Sequence, residues 1–104
     1  MADNLNGIPF STSDEGVSYP DRAKKLVEDA VRRDIANNPA DYEGMDTDGL
    51  GVYVVWFAYT LGNWKALCST NLPNGRYYEV TRNLEKKTTY IDTYVKIYNE
   101  GILG

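Results

Sequence analysis

The chain has 104 residues, 42% hydrophobic and 25% charged, enough for one core and ordinary for a globular domain. Its net charge of −4 is uneven: residues 1–51 hold five basic and eleven acidic side chains, residues 52–104 six and four. That balance argues against broad electrostatic binding of nucleic acid or an anionic membrane.

Histidine is absent. This removes Ser-His and Cys-His nucleophile systems, the usual neutral-pH base and every His-based metal site. The single cysteine, Cys68, rules out an internal disulfide and a thiolate metal centre and fits a reducing compartment. No apolar run approaches the ~18 residues of a membrane span, and Met-Ala-Asp-Asn does not open a secretory signal. A cytoplasmic protein is expected.

Residues 1–17 are rich in Asn, Ser, Asp and Gly without periodicity and read as a flexible arm. Its Ile8-Pro9-Phe10 triplet is apolar enough to dock on its own domain or on a neighbouring subunit. The folded domain is expected over residues 18–104.

Ser18-Tyr19-Pro20-Asp21 has the cap, the first-turn proline and the acidic residue of a helix start. Ala23, Leu26, Val27, Ala30, Val31 and Ile35 then form one apolar stripe, until Asn37-Asn38-Pro39 stops the helix. Residues 38–51 form an acidic, glycine-containing loop. Asp46-Thr47-Asp48-Gly49 has a calcium-loop flavour, but placing Gly49 at position six puts Gly44 at position one and Val55 at position twelve, so the template fails.

From Val52 the sequence turns to strands. The stretch to Tyr98 holds both tryptophans and seven of the nine tyrosines, so the core must be built here. Val52 to Tyr59 alternates Val52, Val54, Trp56 and Ala58 on one face with Tyr53, Val55, Phe57 and Tyr59 on the other. A turn around Gly62-Asn63 leads to a strand from Trp64 to Thr70. Leu72-Pro73-Asn74-Gly75 leads to a third, from Arg76 to Arg82. Beyond Asn83, Ile91, Tyr94, Val95 and Tyr98 fall at i, i+3, i+4 and i+7, which predicts a helix capped by Thr88 or Thr89 and ended by Gly101. The expected fold is therefore α+β, in the order α-β-β-β-α, with two helices packing a three-stranded antiparallel meander.

No phosphate-binding glycine loop is present: no Lys-Ser/Thr pair follows a glycine, and Gly49-Leu50-Gly51 lacks the third glycine. Among the carboxylates only Glu79 lies within an expected strand, near Tyr77. Cys68 reads as a small core residue, since no neighbour would lower its pKa. No enzyme, cofactor or metal site is expected.

Two surfaces stand out. With both helices on one side, the other would expose Tyr53, Val55, Phe57, Tyr59, Leu67 and Tyr77, too apolar to stay in water and suited to self-association. Arg76, Tyr78 and Arg82 share a face of the third strand and, with Trp64 and Lys65, could present cations to an anionic ligand. The element order is also that of the double-stranded-RNA-binding domain, with Lys86 and Lys87 before the last helix.

The run Tyr53-Val54-Val55-Trp56-Phe57, Thr60-Leu61, Asn63-Trp64-Lys65-Ala66-Leu67, Ser69-Thr70, Asn71-Leu72-Pro73-Asn74-Gly75 and Tyr77-Tyr78-Glu79-Val80-Thr81 resembles a family of short proteins of unknown function from phages and prophages of Gram-positive bacteria. The resemblance covers residues 52–98. It implies a phage-encoded protein acting inside an infected bacterium, and assigns no residue a role. In that setting the expected function is a non-enzymatic, homo-oligomeric binder of a host protein or a small nucleotide-derived defence signal. The alternatives are a virion or assembly component and an RNA-binding module.

Overall fold

The computed structural model describes residues 18–103; the arm expected over residues 1–17, with Ile8-Pro9-Phe10, lies outside them. One α-helix, α1 (Tyr19–Asn37), and a short 3-10 turn (Pro39–Tyr42) precede four strands: β1 (Val52–Thr60), β2 (Asn63–Thr70), β3 (Arg76–Asn83) and β4 (Thr88–Val95). The strands pair antiparallel in the order β1-β2-β3-β4, a meander whose two edges have no partner strand among the described residues.

The Ser18 side chain accepts from the Asp21 N–H at 3.2 Å, and Pro20 occupies the first turn of α1. The apolar stripe buries Ala23, Val27 and Val31 against Trp64, Ala66, Cys68, Tyr78 and Val80, with Leu26 and Ile35 at the margin. Burial of this kind stabilises the helix far more than propensity does. Because α1 is the one α-helix among the described residues, those residues cover the sheet on one side only.

Two expectations fail. The closing helix is absent: residues 88–95 form β4, which pairs with β3 from Arg76↔Val95 to Asn83↔Thr88. The fold is α+β with a four-stranded meander, not three strands and two helices. Four apolar positions at helical spacing also fit a strand when most residues are β-branched or aromatic, as in Thr-Thr-Tyr-Ile-Asp-Thr-Tyr-Val. Pairing with β3 decides between them. Thr89, Ile91, Thr93 and Val95 then lie on the covered side.

The second failure is in β1. The register steps from Val54↔Cys68 to Trp56↔Leu67, leaving Val55 without a partner in a β-bulge. A bulge reverses the alternation beyond it. Phe57 and Tyr59 therefore face α1 with Val52 and Val54, whereas Trp56 and Ala58 join Tyr53 on the open side. Phe57 and Tyr59 leave the open side, although Tyr59 stays 54% exposed at the margin of the covered one, and Trp56 enters the open side.

Candidate functional site

The structure divides the five expected ligand-binding residues between the two sides of the sheet. Trp64, Arg76, Tyr78 and Arg82 lie on the side that α1 covers. Trp64, Tyr78 and Arg82 are buried, at 2, 4 and 7% exposure. The Trp64 ring lies 5.8 Å from Phe57 and 5.5 Å from Tyr19, which also stacks on Tyr59. The Arg82 Nη1 donates to Thr89 Oγ1 at 3.0 Å. Arg22, on the first turn of α1, is pushed down to about 10 by burial and by the like charge of Arg82, and still carries its proton at neutral pH.

Arg76 closes a polar latch between helix, loop and sheet. Its Nη1 donates to Asp34 Oδ2 at 3.2 Å and to the Tyr42 hydroxyl at 3.1 Å, and the guanidinium lies 5.6 Å from the Tyr42 ring centroid. The Tyr42 hydroxyl donates to Asp34 Oδ2 at 2.5 Å, and Asn38 Nδ2 donates to Asp34 Oδ1 at 2.8 Å. The Tyr42 hydrogen bond, then Asn38 and Arg76, hold the Asp34 carboxyl below its usual range against the opposing effect of burial. Burial and Asp34 push the Tyr42 hydroxyl well above its ordinary value. The latch ties the end of α1 and the 3-10 turn to the start of β3. The Arg76 Nη1 is already committed to Asp34 and Tyr42.

The open side is organised in cross-strand rows, because residues directly opposite one another share a face. One row is Tyr53–Ser69–Tyr77–Tyr94, the next Trp56–Leu67–Glu79–Asp92, and the third Ala58–Lys65–Thr81–Tyr90. Lys65, the fifth expected ligand residue, sits here and pairs with Glu79 at 3.7 Å. The Tyr94 hydroxyl donates to the same carboxylate at 3.4 Å, and the charges of Glu79 and Asp92 raise it above its ordinary value. Of the expected interface, Tyr53, Leu67 and Tyr77 are on this side, and the bulged Val55 is exposed at its β1 margin.

Towards the β1–β2 turn the open side has a shallow hollow of about 400 Å³. Thr60, Asn63, Lys65, Thr81, Asn83 and Tyr90 line it together with Trp64, offering hydroxyls, amides and one ammonium beside an aromatic ring. Of these Trp64 and Lys65 were expected. The signal for Tyr90 was in the sequence: Thr88, Tyr90, Asp92 and Tyr94 alternate with Thr89, Ile91, Thr93 and Val95.

Cys68 is fully buried and its thiol is pushed up to about 11 by burial, which leaves little thiolate at neutral pH. Among the described residues no group of three or more His, Cys, Asp or Glu is placed to hold a metal ion, and no helix is long and apolar enough to cross a membrane.

The model of a family of unknown function, DUF6275, matches residues 20–103. The chain belongs to that family. No curated protein and no solved structure matches it. The DUF6275 match takes in α1, all four strands and the segment after β4, so the latch and the open face both belong to the family's unit.

Proposed function

We propose that this protein is a non-enzymatic, self-associating binding protein, encoded by a phage and acting in the cytoplasm of the infected bacterium. There it holds a host protein or a small nucleotide-derived defence signal. The infection setting rests on the resemblance of residues 52–98 to short phage and prophage proteins. The binding role rests on one structural observation, the open side of the sheet. That side carries Tyr53, Trp56, Leu67, Tyr77, Tyr90 and Tyr94 around the single Lys65–Glu79 pair. Tyr53 and Trp56 on β1 and Tyr90 and Tyr94 on β4 flank a small charged centre of Lys65, Glu79 and Asp92, and tyrosine and tryptophan are the residues that interfaces enrich. The hollow beside Lys65 and Tyr90 supplies polar groups for a small ligand.

The RNA-binding alternative needed lysines at the start of a closing helix, and Lys86 and Lys87 sit instead in the β3–β4 turn. The virion alternative leaned on the arm, outside the described residues.

Light scattering coupled to size exclusion, followed by native mass spectrometry of the peak, tests the proposal. A dimer or larger species carrying a co-purified small mass is expected. A ligand-free monomer at all concentrations would sink it.

A further inference from the structure

The self-association proposed above leaves open which surface joins the copies. We propose that it is the free edge of β1: two copies pair β1 to β1, antiparallel about a two-fold axis, joining two four-stranded sheets into one of eight strands. This rests on the self-association reading and names its contact.

The two edges of the sheet are built differently. An edge strand displays unpaired N–H and C=O groups, and natural sheets guard them with charges, prolines, bulges or short length. β4 follows that rule: Asp92 lies within it, Glu85-Lys86-Lys87 precede it and Lys96 follows it. β1 does not. At nine residues it is the longest strand, and Val-Tyr-Val-Val-Trp-Phe-Ala-Tyr-Thr holds no charge and no proline. Its bulge at Val55 adds twist but no charge. Large apolar side chains stay exposed along it: Tyr53, Val55, Trp56 and Tyr59, at 51, 46, 41 and 54%.

Charge selects the occupant. In an isologous antiparallel pair each strand meets its own sequence, so a charge near the axis faces its own copy. β4 would pay that penalty at Asp92, whereas β1, neutral throughout, meets itself without like charges. Pairing there would also run the two open sides together, bringing both copies' Tyr53 and Trp56 onto one continuous aromatic surface for the partner.

Sedimentation velocity and hydrogen exchange on the full chain, each across a concentration series, form the test. The backbone amides of β1 should gain protection as concentration rises, in step with dimer formation. Val55→Lys, which puts an ammonium on the edge, should weaken the dimer at least about 10-fold while the circular dichroism stays native; Thr93→Lys, at an exposed position of β4 on the other side of the sheet, should leave it unchanged. Should Val55→Lys fail to fold, Tyr53→Lys carries the same test. A folded Val55→Lys or Tyr53→Lys that dimerises like the parent overturns the β1 contact and leaves self-association standing. Concentration-independent protection of β1 overturns it too, by showing that the chain covers its own edge. A parent that is monomeric throughout, with β1 unprotected, overturns the contact and self-association together.

Discussion

At the scale of single residues, most of the polar work lies at the lower end of α1, where Asp34, Tyr42 and Arg76 meet. Arg76 reaches a carboxylate 42 positions away, so nothing in local sequence spacing marks the pair. Asp34 is where pH should act. Its folded pKa lies below the unfolded value of about 3.9. The stability it contributes is therefore present above about pH 4 and is lost as pH falls through the folded pKa. Asp34→Asn should cost about 1 kcal/mol at neutral pH, because Tyr42 and Arg76 lose a charged acceptor that is part-exposed. Urea midpoints of parent and variant should converge as pH drops from 5 towards 2. A gap that stays constant over that range would mean that the latch does not hold the Asp34 charge.

At the scale of elements, the β3–β4 turn carries the one positive φ of a non-glycine residue among the described residues, Lys87 at 56°. A side chain there costs roughly 1 kcal/mol against a right-handed conformation, and glycine removes that cost while giving back part of it in unfolded-state entropy. Lys87→Gly should raise stability by about 0.5 kcal/mol in denaturant melts, and a clear loss of stability would contradict this turn geometry. The same hairpin shows where sequence reading stops. α1 was legible because cap, stripe and stop agree. The first two hairpins were legible because Gly62 and Asn74-Gly75 punctuate runs of β-branched and aromatic residues. No glycine or proline separates β3 from β4: Leu84-Glu85-Lys86-Lys87 reads equally well as a helix approach. The bulge at Val55 left no mark at all. A one-residue slip in a strand apolar on both faces changes no pattern, and so Phe57, Tyr59 and Trp56 were assigned to the wrong sides.

At the scale of the molecule, the described fold is a thin two-layer body of 50 × 40 × 20 Å with a radius of gyration of 15.8 Å, against about 13 Å for a compact chain of this size. A sheet with one covered face and an uncharged edge gains most from burying apolar surface. Its contact should therefore respond to salt in the direction opposite to a charge-held one. Each copy carries −4, so two copies repel at long range, and salt screens that repulsion over a Debye length of about 10 Å at 0.1 M. Raising sodium chloride from about 50 to 500 mM should tighten the dimer slightly, by less than roughly 10-fold, with no dissociation. Binding through cationic residues such as Lys86 and Lys87 to a phosphate backbone would instead weaken steeply over the same range. A dimer that falls apart in salt would mean that ion pairs such as Lys65–Glu79, exchanged between copies, hold it together. In that case the apolar edge and face would have no part in the contact.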